Sequence, residues 1–295
     1  TGERFTMDDD YTNSVLEAFV VLYNKGLIYK GFRLVNWCPV SKSAISDEEV
    51  IHQEVNGHLW HLRYPIKNSD EVLIVATTRP ETMLGDTAVA VYPNDKRFKH
   101  LIGKTVLLPL ANREIPIIGD NFVDMEFGSG CVKVTPAHDP NDFDIGKKHD
   151  LEFINIMNED ASLNSNVPEP YRKLSRDSAR EKIINYLKAN DQLEKIEKYN
   201  HKVGFSERGN VPIEYYMSSQ WFLKMNELSK PATEAVNNGS IKFHPEHWVK
   251  TYNHWMNNIN DWCISRQLWW GHRIPVWYHK AVSYTHLTLP TNREV

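Results

Sequence analysis

The 295-residue chain is predicted to be a mixed α/β protein with a β-rich, barrel-like middle. Three observations predict it. Apolar residues recur with helical spacing at about residues 9–25 and 175–190. Short runs rich in Val, Ile, Leu and Thr, broken by Gly and Pro, crowd the stretch from about 46 to 205. After Val211 the chain turns aromatic-rich. With 41% hydrophobic residues it can bury a sizeable core, as one large domain or two ordinary ones.

From Asp9 to Lys25 the side chains of Val15, Leu16, Phe19, Val20, Leu22 and Tyr23 make an amphipathic helix, and Gly26 follows as its stop. RLVNWCP reads as a short, largely buried strand ended by Pro39. WHLRYPI places Trp60, Leu62, Tyr64 and Ile66 on one strand face, and a Lys-Asn-Ser-Asp turn leads into EVLIVATT, a β-hairpin. DTAVAVYP, TVLLPL, REIPIIGD and CVKVTP are further strands, with short helical stretches at about 94–100 and 142–148. Ser175 is the expected N-cap of a helix carrying Ile183, Ile184 and Leu187, which closes the β-rich unit. HWVKTYNHWMNNINDWCISRQLWWGHRIPVWY suits a helix, a turn and a buried strand, its tryptophans read as core. SYTHLTLPTNREV continues none of these patterns and is expected to be a non-native tail, similar to a translated cloning or sequencing adaptor.

No stretch approaches the roughly 18 consecutive apolar residues of a membrane span, and TGERFTMDDD lacks the layout of a signal peptide. Cys38, Cys131 and Cys263 are too widely spread for a disulfide framework and contain no C-x-x-C pair, so a reducing, cytoplasmic setting is expected. A net charge of −4 is no global signature of nucleic-acid binding. RNA contact must then be local, at Lys147 and Lys148, Arg172 and Lys173, or Lys195, Lys198 and Lys202, each of which also reads as a solvated helix face.

Two motifs carry chemistry. TTRPETMLGDTAV leaves a strand at Thr77, Thr78 and Arg79 and turns at Pro80 toward Gly85 and Asp86. GSGCVKVTPAHDPNDFD runs from a glycine-flexed loop into a strand bearing Lys133 and Thr135, then a loop with His138, Asp139 and Asp142. Hydroxyls, a guanidinium, an ammonium and carboxylates at strand ends suit a small zwitterion: carboxylates hold an ammonium, while Arg or Lys faces a phosphate or developing oxyanion. The plainer readings are β-propensity for Thr-Thr and a capped turn for Asp-Pro-Asn-Asp.

Together the motifs resemble the editing domain of the class I aminoacyl-tRNA synthetases for valine, isoleucine and leucine. TTRPETMLGD and VTPAHDPNDF look like the valyl branch, not the Trp-Thr-Thr-Thr-Pro-Trp segment of the isoleucyl branch or the Pro-Ala-His-Asp-Glu-Arg-Asp loop of the leucyl branch. GLIYKGFRLVNWCP is similar to the end of the first half of the Rossmann catalytic core, and IEYYMSSQWF with DWCISRQLWWGHRIPVWY to re-entry into its second half. The resemblance covers roughly residues 1–281. It implies incomplete core pieces at 1–45 and 206–282 around an editing domain at 46–205, with 283–295 as the tail.

The resemblance also implies roles. Asp142 matches the aspartate that anchors the substrate's α-ammonium. Arg79, Phe127, Lys133, Thr135 and Asp139 match residues lining the editing pocket, where Lys133, Thr135 and Asp139 bond the threonine hydroxyl or hold the hydrolytic water. Thr77 and Thr78 match the strand bordering the terminal adenosine of tRNA, Asp86 joins the substrate-binding set, and His138 is a general base or, as the family favours, a structural or water-orienting group. The implied partner is tRNA(Val) mischarged with threonine, acted on by a monomer without a cofactor. The implied parent enzyme ligates valine using ATP and Mg2+, but the ATP-binding His-x-Gly-His segment and the Lys-Met-Ser-Lys-Ser loop are not in this sequence. Some family members bind zinc through paired cysteines, whereas Ser41, Ser206 and Gly209 stand here beside Cys38, so no zinc is expected. The rival readings are a non-catalytic tRNA-docking fragment and a metal-dependent hydrolase using His138, Asp139, Asp142, Asp144 and His149.

Overall fold

The computed structural model describes residues 2–278 and the backbone of 285–287. In chain order it opens with α1 (Asp9–Asn24), β1 (Ile28–Cys38), β2 (Ser43–Ile45), β3 (Val50–Pro65) and β4 (Val72–Thr77). Strands β5 (Ala88–Val91), β6 (Thr105–Leu108), β7 (Arg113–Gly119) and β8 (Cys131–Val134) precede α2 (Pro140–Lys148), α3 (Arg176–Ala189), β9 (Leu193–Ser206) and β10 (Glu214–Leu223). The rest comprises α4 (Met225–Asn237), α5 (Trp248–Asn257), β11 (Trp262–Cys263), β12 (Val276–Tyr278) and β13 (Thr285–Leu287). Among the described residues no helix is long and apolar enough to cross a membrane.

The chain divides into two compact units, 1–32 with 219–295, and 33–218. Residues 33–45 and 206–218, expected with the flanking pieces, thus pack with the β-rich unit. In the first unit, Gly26 at φ +71° stops α1, and Phe19 packs on Leu27, Ile28, Trp221 and Leu223, meeting Trp221 edge-on at 5.8 Å. Of the strand pairs in this unit, Phe222↔Cys263 and Val276↔Leu287 are antiparallel. Tryptophans read as core are in part exposed, Trp248, Trp255, Trp269 and Trp270 among them. The tail expected at 283–295 lies outside the described residues apart from the backbone of β13, which pairs with β12.

In the unit of residues 33–218, β3 pairs antiparallel with β4 from Trp60↔Thr77 to Pro65↔Val72, the expected hairpin, and with β9 from Val50↔Ser206 to Leu62↔Leu193. A second sheet has the order β6-β7-β5-β8, with β5 and β7 parallel. Leu62, Tyr64, Leu73, Val75, Met83, Val89, Ile117, Ile156 and Ile183 fill the core between these elements. Ser175 Oγ accepts from Ser178 N and caps α3, as its sequence predicts.

The expected barrel is corrected: the sheets do not close. The β4-β3-β9 and β6-β7-β5-β8 sheets each keep two edges, with the Ile66↔Val106 bridge between them. The cause lies in β3, which is buried only toward its C-terminal end. Its first half pairs with β9 as a largely exposed ribbon instead of continuing around a closed wall. That ribbon also corrects the reading of Lys195, Lys198 and Lys202: they lie on a strand, with Lys198 and Lys202 on one face and Lys195 on the other, not on a helix.

Candidate active site

The two motifs meet because β5 and β8 pair antiparallel. The register Ala88↔Val134 and Val89↔Lys133 continues in Thr87 N donating to Val134 O at 2.9 Å, which sets Asp86 beside Thr135. Lys133 on β8 and Thr135 just past its end, two residues apart, face the same side. Lys133 Nζ donates to Thr82 Oγ1 at 2.9 Å, to Asp86 Oδ1 at 3.1 Å and to Thr135 Oγ1. Thr135 Oγ1 donates to Asp86 Oδ1 at 2.6 Å, and Tyr64 OH to Asp86 Oδ2 at 2.7 Å. Burial pushes the Asp86 carboxyl up, and Lys133, Thr135 and Tyr64 only partly offset this.

These bonds assign parts. The three protons of the Lys133 ammonium all have acceptors, so this side chain orients Thr82 and Thr135. Asp86, expected to bind substrate, is wholly buried with both oxygens engaged, and its part is to hold that pair. Thr82 Oγ1 donates to Arg79 O, so Thr82 and Thr135 have committed their hydroxyl protons and have only acceptor capacity left.

Asp139 caps α2, its Oδ1 accepting from Asn141 N at 2.8 Å and Asp142 N at 3.2 Å. The capped-turn reading of Asp-Pro-Asn-Asp therefore holds for this residue. Asp142, in the first turn, accepts from Thr135 N at 2.8 Å and is 7% exposed. Burial and then the neighbouring Asp139 push its carboxyl up to about 7. Gly146 brings α2 this close: a Cβ there would lie 2.8 Å from Pro136 Cβ and Cγ. Gly146→Ala is expected to destabilise the chain by about 1–3 kcal/mol, measured by urea unfolding.

Arg79 Nη1 donates to His138 O at 3.2 Å, Arg79 Nη2 to Glu214 Oε2, and Arg79 N to Thr77 Oγ1 at 3.0 Å. Those contacts draw Thr77, Arg79 and His138 together. His138 Nε2 accepts from Ile156 N at 3.0 Å, and burial, then Arg79 and Lys133, drive the imidazole down to about 3. With Nε2 occupied, the ring is placed as the structural role implied by the family resemblance would have it. Phe127 lies apart from the cluster, half-exposed on a loop tied by Arg97 to Met125 O, with its ring edge-on to Tyr199 at 6.2 Å. Thr78 is half-buried beside Thr77.

The five residues of the metal alternative do not converge: His138 is turned to Ile156, and His149 Nε2 to Asp120 Oδ2 at 2.8 Å. Among the described residues no group of three or more His, Cys, Asp or Glu is placed to hold a metal ion. Around Cys38, burial raises the thiol pKa but the polar groups of Ser206 and Ser41 beside it outweigh this and hold it below its ordinary value. A Cβ on Gly209 would sit 2.9 Å from Cys38 Sγ. One thiolate and two hydroxyls do not make a tetrahedral zinc site.

Sequence reasoning missed Tyr64, Thr82, Glu81, Arg176, Arg180 and Glu214. Thr82 and Glu81 stood inside the TTRPET motif and Glu214 inside IEYYM, but nothing local marked them as partners of Lys133 and Arg79.

Residues 1–293 match the family model described as tRNA synthetases class I (I, L, M and V). The valine–tRNA ligase of Clostridium tetani is 56% identical over 252 residues, covering 85% of this chain and 28% of that protein. That of Thermosynechococcus vestitus is 57% identical over 251 residues, at 85% and 27% coverage. That of Geobacillus stearothermophilus is 56% identical over 253 residues, at 85% and 29%. The chain thus spans little more than a quarter of the length of these relatives. Among solved structures, an Agrobacterium radiobacter K84 LeuRS in a ternary complex with tRNA and LeuAMS is 18% identical at a TM-score of 0.39, covering 96% of this chain and 36% of that one.

Proposed function

The chain belongs to the class I tRNA synthetases of the I, L, M and V group, matching valine–tRNA ligases over part of their length, and on that footing we propose that it is an editing hydrolase which removes threonine from mischarged tRNA(Val). The observation that carries the reading is the set at the β8–α2 junction: a barely exposed Asp142 carboxylate beside hydroxyls that can only accept, with the Arg79 guanidinium joined to the same turn through His138 O. Asp142 holds the substrate's α-ammonium. Thr135 and Thr82 accept from a hydroxyl, which threonine donates and valine lacks. Leaving such buried groups unpaired costs about 1–3 kcal/mol each, so valine is disfavoured. A synthetic pocket shaped for valine rejects isosteric threonine weakly, so a site with the opposite preference completes the discrimination.

The bond broken is an aminoacyl ester. A water attacks its carbonyl carbon, the developing oxyanion faces the two N–H groups that Arg79 keeps free, and the ribose oxygen leaves with a proton to give threonine and free tRNA. No covalent nucleophile and no cofactor is needed. The editing domain occupies about residues 46–205, with pieces of the catalytic core before and after it. The unit acts as a monomer in the cytoplasm, and ATP- and Mg2+-dependent valine ligation belongs to the longer parent enzyme.

The test is deacylation of preformed Thr-tRNA(Val) with and without chelator. Equal loss of threonine in both, above the spontaneous rate, is expected. Binding without loss would make the chain a docking fragment, and loss abolished by chelator would restore the metal reading. Metal analysis of the purified chain is expected to find far less than one zinc per chain, and about one per chain would overturn the reading of Cys38 and its neighbours.

A further inference from the structure

Beside the Lys133 network, three arginines and two glutamates form a continuous string. Arg180 holds Glu81 through two bonds, Nε to Oε2 at 2.8 Å and Nη2 to Oε1 at 2.9 Å. Glu81 Oε1 lies 3.5 Å from Arg79 Nε, and Arg79 Nη2 donates to Glu214 Oε2. Glu214 Oε1 accepts from Arg176 Nη1 at 2.7 Å, and Arg176 also ties Pro212 O at 3.0 Å. The Glu81 and Glu214 side chains are 1% and 4% exposed, that of Arg79 28%. Asp177, 4.0 Å from Arg180 Nη1, adds a third carboxylate at the exposed end of the string.

The two glutamates are not equivalent. Glu81 is matched by the paired bonds of Arg180 and only approaches Arg79, whereas Glu214 divides its two oxygens between Arg79 and Arg176. Of the five guanidinium protons of Arg79, one goes to His138 O, one to Glu214, and that on Nε faces Glu81. Among the described residues one N–H on each terminal nitrogen has no acceptor, which leaves donors for oxygens of a phosphate or a tetrahedral oxyanion.

We propose that Glu214 is a positioning residue, which by holding Arg79 on one side and Arg176 on the other fixes the free guanidinium N–H pair for the reacting ester or its adjoining phosphate. The proposal rests on the editing reading. Glu214 lies 135 residues from Arg79 in the chain, in the IEYYM segment at the start of the strand that leaves this unit, where nothing local marks it as a partner of Arg79.

Glu214→Gln keeps the shape and removes the charge. Its kcat for Thr-tRNA(Val) deacylation is expected to fall on the order of 10²-fold with KM changed less than about threefold. If that variant does not fold, Glu214→Asp, which retains the charge but withdraws it by one methylene, is expected to show the same split. In Arg79→Ala, methylguanidinium at tens of millimolar is expected to restore at least about fivefold of the lost rate, because Glu214 still offers its carboxylate, and to restore nothing in Arg79→Ala/Glu214→Gln. Nitrogen-15 NMR decides the matter independently of activity. The Arg79 Nη protons, assigned with Arg79→Lys, are expected to be separate and slowly rotating in the parent chain and averaged in the Glu214 variants. A folded Glu214→Gln with parental kcat, equal rescue in both backgrounds, or unchanged Arg79 signals would each overturn the proposal. If the parent chain does not deacylate, the editing reading falls, and the NMR comparison alone decides whether Glu214 holds Arg79.

Discussion

Lys133→Met is expected to destabilise the chain by about 3–5 kcal/mol in urea unfolding at neutral pH, the usual effect of leaving one charge of a buried pair without its partner. Asp86 is wholly buried, and Lys133 is its ammonium partner, at 3.1 Å. The variant also withdraws the donor that aligns Thr82 and Thr135, so threonine deacylation should fail with it. Burial already raises the Asp86 carboxyl above its ordinary range, and removing Lys133 raises it further. The folded chain then binds this proton more tightly than the unfolded one. Its contribution is present below the ordinary carboxyl range and lost as pH rises through the raised value, so the deficit of Lys133→Met should shrink in mild acid. Adding Asp86→Asn should recover part of the loss, a coupling read from the double-mutant cycle. A loss below about 1 kcal/mol would mean that the pair is solvated.

The activity should titrate with Asp142. Its carboxyl, pushed up to about 7 by burial and then by Asp139, must be ionised to hold an ammonium. For the free chain, kcat/KM of threonine deacylation, corrected for spontaneous hydrolysis, is therefore expected to rise through about pH 7. Asp139→Asn removes the second cause and should move that limb to lower pH, while Asp142→Asn should abolish it and lower the rate on the order of 10²-fold. Stability has the opposite sign. The contribution of Asp142 is present in acid and lost as pH rises through about 7, so the chain gives up stability where it gains the ionised anchor. A rate that stays flat from pH 6 to 8 would separate Asp142 from the chemistry.

Much of the fold was legible because its patterns are local. The alternation of Leu62, Tyr64 and Ile66 reports one buried face, and Ser175 and Gly26 mark helix ends through backbone chemistry contained in a single turn. Strand β9 was hidden because its ribbon with β3 is wet on both sides, so charged residues fall on either face and neither periodicity shows. Closure failed as an expectation because it depends on which edges pair, a long-range property that strand count does not carry. In the site, the sequence put Asp142, Lys133, Thr135 and Arg79 on the page. It did not reveal that Asp86 and Lys133 face each other, nor that Arg79 is held by Glu214 and His138 O. Reaction chemistry selects residue types that motifs display, whereas the residues that hold them are chosen by packing across the chain.

The most direct measurement is the rate at which this chain, and its Asp142→Ala variant, release threonine from preformed Thr-tRNA(Val), with Val-tRNA(Val) as control. The expected result is loss of threonine above the spontaneous rate, valine left in place, and the enzymatic rate gone in Asp142→Ala. Parental deacylation by Asp142→Ala, or equal release of valine and threonine, would contradict the assignment of this unit as a threonine-selective editing hydrolase anchored by Asp142.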